Sequence, residues 1–181
     1  DFTSYLSNAT AMGAEVFFCP VSIAYSTQII NQAAGQNVSF PIMGGDTLDS
    51  NKVVEAAKGT NVKLLISTFY QEGGSPAFDE GFKAWLNSNN EAMTNNGGND
   101  MIAAVSAMGY DAYFTALEAL KAAGTTDPKA VNEALWTVAF EGVTGAIAFD
   151  EIGDAARDSA YIKTANTETG AWDFVTVQTV Q

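Results

Sequence analysis

Residues 14–46 read AEVFFCPVSIAYSTQIINQAAGQNVSFPIMGGD, and this stretch decides the fold. A short apolar run ends at Pro20, which has no N–H to offer a strand ladder. Ser22 then suits the N-cap of a helix, because apolar residues follow it at helical spacing: Ile23, Tyr25, Ile29, Ile30 and Ala33. A second apolar run, residues 40–43, leads into Gly44-Gly45-Asp46. A strand–helix–strand unit of this size predicts two parallel strands joined by a right-handed crossover.

Ser22 and Asp46 each follow the carboxyl end of one of these two strands. Parallel strands end on the same edge of a sheet, and open α/β sheets hold their ligands at that edge. Both side chains are therefore candidates to face one small molecule. The alternative, from spacing alone, is that Ser22 only caps its helix and that Asp46 is only the cap or turn residue of the next one.

The composition argues against several classes of partner. The 181 residues carry a formal net charge of −13 with only 8 basic side chains, so neither nucleic acid nor an anionic membrane surface is expected. The absence of histidine removes the commonest general base and metal ligand. Cys19, the only cysteine, lies in an apolar run and is expected to be a buried thiol. No apolar run is long enough to span a membrane.

The chain alternates helix and strand up to residue 70 and is then mostly helical, which is typical of an α/β protein. Beyond the opening unit, the pattern predicts helices over residues 1–12, 51–58, 77–87, 101–123 and 127–138, strands over 62–68 and 145–149, and a hairpin over 159–165 and 172–180. Residues 71–76 predict a linker, and the Asn- and Gly-rich residues 88–99 predict a flexible loop. Phe17, Phe18 and Trp85 are predicted to lie in the core.

Three short motifs carry a resemblance to a known family. Residues 142–154 read GVTGAIAFDEIGD, residues 161–163 read YIK, and residues 109–112 read GYDA. They closely resemble periplasmic (extracellular) solute-binding proteins of ABC importers, of the branched-chain amino-acid (Leu/Ile/Val-binding) type. The strand–turn–helix over 14–34 matches as well. The resemblance implies a type I periplasmic-binding-protein fold, with two Rossmann-like α/β lobes, parallel sheets and hinge crossovers between the lobes.

The resemblance covers essentially the whole chain but only the later half of the family's length. It implies that residues 1–70 form the later part of the second lobe, residues 76–150 the late helical part of the first, and residues 159–181 a hairpin that returns to the second. The crossings near 71–75 and 150–158 are then hinges. The sequence begins at Asp1 and shows no signal peptide, so we expect a processed protein or a fragment, with the missing N-terminal half as its partner.

The resemblance also assigns a ligand site. Asp46 matches the acidic residue that holds the ligand's α-ammonium by a charge-assisted hydrogen bond. Ser22 matches a cleft position that is often aromatic in the family, so the pocket of this chain is not assumed to fit leucine. Val21 and Ile23 flank Ser22 and are expected to touch the ligand. In the family, contacts to the α-carboxylate come mainly from early loops of the first lobe, which this chain lacks.

The implied function is that of a receptor that captures a branched-chain or other small zwitterionic amino acid and delivers it to an ABC permease. A sensor of the same fold, binding an amino acid or amide without transport, is the alternative. An enzyme is not expected. Asp46 and Ser22 are the only candidates for a base or a nucleophile, and neither has a histidine or a conspicuous lysine nearby to activate it.

No cofactor or metal is expected. The acidic turn that holds Asp150, Glu151 and Asp154 offers fewer oxygens than a calcium site needs and is more simply solvated. The implied location is periplasmic or extracellular, with a lipid anchor if the source is Gram-positive.

Overall fold

A computed structural model describes residues 1–179; Val180, the predicted end of the second hairpin strand, and Gln181 lie outside the described residues. The helices are α1 (Thr3–Ala11), α2 (Ile23–Gln36), α3 (Asn51–Ala57), α4 (Pro76–Ser88), α5 (Asn90–Asn95), α6 (Ala104–Ala123) and α7 (Pro128–Leu135). The strands are β1 (Phe17–Phe18), β2 (Ile42–Gly44), β3 (Leu64–Thr68), β4 (Phe140–Gly142), β5 (Gly145–Ile147), β6 (Ser159–Asn166) and β7 (Ala171–Thr179). A short 3-10 turn, Asp46–Leu48, follows β2.

Five strands form one mixed sheet in the order β1-β2-β3-β6-β7. β1, β2 and β3 run parallel, and β6 and β7 add an antiparallel hairpin beside β3. The predicted strand–helix–strand unit is therefore present, and the carboxyl ends of its strands share one edge. β1 is short because the pairing with β2 ends where Cys19 N–H donates to Met43 O at 2.7 Å, and Pro20 has no N–H to continue it.

The larger hydrophobic core joins this sheet to its helices. Its fully buried members include Ile30 on α2, Val53 on α3, and Leu64 and Ile66 on β3. Cys19 is buried in the same core, as expected, and burial raises the pKa of its thiol.

Phe17 and Phe18 occupy opposite sides of the short strand β1. Phe17 is half-buried against the larger core and stacks on Phe40, with ring centroids 6.0 Å apart. Phe18 is 64% exposed, so its predicted core position is wrong. Successive side chains of a strand point to opposite faces, which is why two adjacent phenylalanines do not share one core.

A second hydrophobic cluster forms among the later helices. Tyr70, Phe78, Ile102, Ala104 and Ala107 are its buried members. The predicted helix over 77–87 is present as α4, but its Trp85 is 49% exposed, contrary to the core position predicted for it.

Residues 88–99 contain helix α5 rather than only a flexible loop. Asn89 starts this helix, because its side chain accepts a hydrogen bond from the Ala92 N–H at 3.0 Å. The Asn-rich composition suggested a loop, yet asparagine is also among the best N-cap residues, and here that property decides the local structure.

Two of the motifs that carried the family resemblance meet in the structure. Asp111, on α6, is buried, and its carboxylate accepts hydrogen bonds from the N–H groups of Val143 and Thr144, both at 2.8 Å, and from the Thr144 hydroxyl at 2.6 Å. These contacts hold the tight connection between β4 and β5. The three-residue strand β4 was not predicted from the sequence, whereas its partner β5 lies within the strand predicted over residues 145–149.

Arg157 links the same connection to the residue that follows β3. Its guanidinium donates to the carbonyl oxygen of Thr144 at 2.7 Å and to the hydroxyl oxygen of Thr144 at 2.6 Å. The guanidinium carbon also lies 5.4 Å from the centroid of the Phe69 ring. The segments just after β3 and just before β6 are thus linked through one side chain.

We expect Gly142→Ala to lower the free energy of unfolding by about 1–3 kcal/mol. A Cβ at Gly142 would lie 2.6–2.7 Å from the carboxylate atoms of Asp111, which would have to leave the N–H groups of Val143 and Thr144. The control is Gly109→Ala on α6, where a Cβ meets nothing within 4 Å and alanine should stabilise by about 0.4–1 kcal/mol. Identical urea midpoints for wild type and Gly142→Ala would contradict the expectation.

Candidate functional site

The segments that follow β1 and β2 are joined directly at the carboxyl edge of the sheet. The Thr47 hydroxyl, one residue beyond Asp46, donates a hydrogen bond to the carbonyl oxygen of Val21 at 3.2 Å. The structure therefore brings the segment that holds Val21, Ser22 and Ile23 against the segment that holds Asp46, as parallel pairing of the strands requires.

Ser22 occupies the N-cap position of α2, but its side chain makes no capping hydrogen bond. Ser22 is exposed. Its backbone carbonyl, rather than its hydroxyl, accepts hydrogen bonds from the N–H groups of Tyr25 and Ser26 in the first turn. The simple alternative, a serine whose side chain only caps the helix, does not describe this geometry. The hydroxyl is available to a ligand.

Asp46 begins the 3-10 turn after β2 and is half-buried. It does not cap α3, because Ser50 does so by accepting from the Lys52 N–H at 3.3 Å. Among residues 1–179, no hydrogen-bond donor engages the Asp46 carboxylate, and it joins no ion pair. A partly buried carboxylate with unused lone pairs offers what an ammonium group needs.

The two flanking residues differ in exposure. Val21 is half-buried and packs against the larger core, whereas Ile23 is 38% exposed on the first turn of α2. A groove of about 280 Å³ lies beside them, lined on one side by Ile23 and Thr47 and on the other by Val105 and Ser106 of α6. Of the four predicted site residues, only Ile23 lines this groove.

Asp49, three residues after Asp46, is a buried residue of this region that the sequence pattern did not predict. Its carboxylate is 1% exposed, and one oxygen accepts from the Thr68 hydroxyl at 2.7 Å, the Lys163 ammonium at 3.0 Å and the Ala104 N–H at 3.2 Å. The only signal in the sequence is a lysine inside the otherwise weakly charged strand β6, since a buried lysine requires a carboxylate or a similar partner.

In the described part of the chain, no cluster of three or more acidic, histidine or cysteine side chains has the geometry to hold a metal ion. Asp150 uses its carboxylate locally, accepting from the N–H groups of Ile152 and Asp154, both at 2.9 Å. None of the helices within residues 1–179 is long and apolar enough to cross a bilayer.

The sequence profile of the periplasmic binding protein family matches residues 1–170. The chain belongs to this family. No curated protein matches the chain significantly.

Solved structures of periplasmic binding proteins resemble the chain along almost its whole length. A leucine binding protein from Thermotoga maritima MSB8 is 27% identical with a TM-score of 0.76, over 99% of this chain and 49% of that one. The branched-chain amino acid transporter substrate binding protein LivJ from Streptococcus pneumoniae, in complex with isoleucine, is 22% identical with a TM-score of 0.65, over 99% and 48%. A solute binding protein from R. palustris, in complex with benzoate, is 18% identical with a TM-score of 0.72, over 99% and 47%.

These comparisons confirm the α/β type I periplasmic-binding-protein fold and the resemblance to branched-chain amino-acid binding proteins. The likenesses below 25% identity show the fold alone. This periplasmic binding protein chain spans about half the length of the solved structures that it matches.

Proposed function

We propose that this chain is the later half of a solute-binding receptor of an ABC importer, which captures a small zwitterionic amino acid and delivers it to a membrane permease. The observation that carries the proposal is the Asp46 carboxylate, which is half-buried at the carboxyl edge of the parallel strands and has no hydrogen-bond or ion-pair partner among residues 1–179. That edge is where open α/β sheets hold ligands. The protein would act outside the cytoplasmic membrane, with a lipid anchor if the source is Gram-positive.

The arrangement of the chain supports two lobes. Residues 1–70 and 159–179 supply the five-stranded sheet and its core, whereas residues 76–150 supply the second cluster and contribute no strand to that sheet. Residues 71–75 and 150–158 connect these groups and would be the hinges on which the cleft closes. The early strands of the other lobe would come from the half of the protein that precedes this chain.

The charge of the site favours an amino acid over a simple acid. Structural neighbours of similar fold are described in complex with isoleucine and with benzoate, so the fold by itself does not fix the ligand. A free carboxylate at Asp46 attracts an ammonium group and repels a ligand whose only charge is negative. Ser22, where the family often has an aromatic side chain, leaves room and a hydroxyl near the ligand's side chain.

We expect Asp46→Asn to weaken amino-acid binding by the full-length protein by about 2–5 kcal/mol, because the ligand's ammonium loses its charged partner in a closed cleft. The measurement is calorimetric titration with L-leucine, L-valine and L-serine. The control is Glu133→Gln, which changes the net charge equally at an exposed position on α7, away from both crossings, and should leave affinity unaltered. If Asp46→Asn binds as tightly as wild type, the assignment of Asp46 fails.

A further inference from the structure

The short turn that carries Asp46 is anchored at its far end. Asp49 N–H donates to the Asp46 carbonyl at 2.9 Å, closing the turn, and the Asp49 side chain then points into the protein. There it meets the hydroxyl of Thr68 at the end of β3 and the ammonium of Lys163 on β6. The position of the turn relative to the sheet is therefore fixed through one carboxylate.

The same carboxylate reaches the start of α6. Ala103, at the N-cap of this twenty-residue helix, has no side-chain acceptor, so the Ala104 N–H donates instead to Asp49, 55 residues away. Glu72, from the first crossing, accepts from the neighbouring Ile102 N–H at 2.8 Å. Asp49 thus satisfies one orphan N–H group of the helix, and both carboxylates lie near its positive end, where negative charge is stabilised.

Helix α6 is in turn fixed to the rest of its cluster. Its Asp111 holds the connection between β4 and β5, and Arg157 links that connection to Phe69. Polar contacts therefore link the Asp46 turn, through Asp49, to the start of α6. A separate set around Asp111, near the middle of α6, links the helix to Arg157 in the second crossing. Asp49 is the residue of the first set that belongs to the Asp46 turn.

We propose that Asp49 is a positioning residue for ligand capture: its carboxylate, only 1% exposed, acts through the Asp46 turn, which it holds in register with β3, β6 and the start of α6. The inference rests on the proposed function, since it concerns the site that Asp46 would form. Groups that align a binding residue in this way determine affinity because a small displacement of the contact atom weakens a charge-assisted hydrogen bond.

The test compares three variants of the full-length protein. Asp49→Asn keeps the shape of the side chain but removes its charge, and the double variant Asp49→Asn with Lys163→Met also removes the cation that would be left buried. The matched control is Asp111→Asn, a change to another buried carboxylate that accepts two backbone N–H groups but has no contact with the Asp46 turn. Each variant is titrated calorimetrically with L-leucine, L-valine and L-serine, and its amide hydrogen exchange is measured without ligand.

We expect both Asp49 variants to bind the preferred amino acid at least tenfold more weakly and to exchange faster at residues 46–49 and 104–106. Asp111→Asn should melt at a lower temperature, exchange faster at residues 142–144, and keep its dissociation constant within about twofold of wild type. This contrast separates positioning from a general loss of stability.

The inference is overturned if the double variant keeps wild-type exchange at residues 46–49, or if Asp111→Asn weakens binding as much as the Asp49 variants do. If wild type binds none of the three amino acids, the proposed ligand class fails instead. The exchange of residues 46–49 then still decides whether Asp49 positions the turn.

Discussion

Asp49→Ala is expected to lower the free energy of unfolding by about 3–5 kcal/mol, because the Lys163 ammonium, only 4% exposed, would lose its carboxylate partner inside the protein. The hydroxyl of Thr68 and the N–H of Ala104 would lose their acceptor as well. Urea denaturation of the full-length protein, followed by circular dichroism, measures the change.

A double-mutant cycle identifies the cause. Asp49→Ala combined with Lys163→Met should be clearly more stable than Asp49→Ala alone, because replacing both members of a buried ion pair removes the uncompensated charge. Thr68→Val removes one donor and leaves the ion pair, so it should cost only about 1 kcal/mol. Additive effects of the two substitutions would show that the pair is not coupled.

The second large effect concerns residues 1–181 produced without any further chain. We expect them to self-associate, or to melt without a sharp transition, because large apolar side chains of α4 and α6 lie open to water: Trp85, Val105, Tyr110 and Tyr113, which are 45–66% exposed. At about 25 cal/mol per Å², a few hundred Å² left uncovered costs several kcal/mol. That is comparable to the stability of a whole domain.

Light scattering, thermal melting and amino-acid titration of residues 1–181 measure this effect. The variant Tyr113→Glu, which places a charge in the middle of the exposed face of α6, should reduce the association without a loss of helix content by circular dichroism. A compact monomer with a sharp melt and micromolar amino-acid affinity would refute the expectation.

The opening unit and the edge at which its two strands end were predictable because they depend on local patterns. The helical spacing after Ser22, the proline after β1 and the Gly-Gly-Asp after β2 each specify a boundary within a few residues. The meeting of Val21 with Thr47 then follows from geometry, since parallel strands end together. The proximity of Val21, Ser22 and Ile23 to Asp46 was predictable for the same reason. Contact between Asp46 and a ligand is a separate question, on which local sequence patterns carry no information.

The buried contacts of Asp49, next to the Asp46 turn, depend on residues that are distant in the sequence. Asp49 and Lys163 are 114 residues apart, so no periodicity or motif joins them before the hairpin is placed against β3. The exposure of Phe18 and Trp85 has a similar origin, because an apolar side chain is buried only where another element covers its face. Helix α5 was not predicted for a different reason. Asparagine is common both in loops and at helix N-caps, so the Asn-rich composition of residues 88–99 does not distinguish the two.

The burial of Cys19 has a practical consequence for measuring ligand arrival. A thiol reacts as its thiolate, so a buried thiol with a raised pKa is poorly reactive towards maleimide dyes in the folded protein. In this chain Ser22→Cys would place a second thiol at an exposed position beside Asp46. An environment-sensitive fluorophore attached at position 22 would report ligand binding by a change in its fluorescence. Cys19 would not need to be replaced first, because it reacts poorly with the dye.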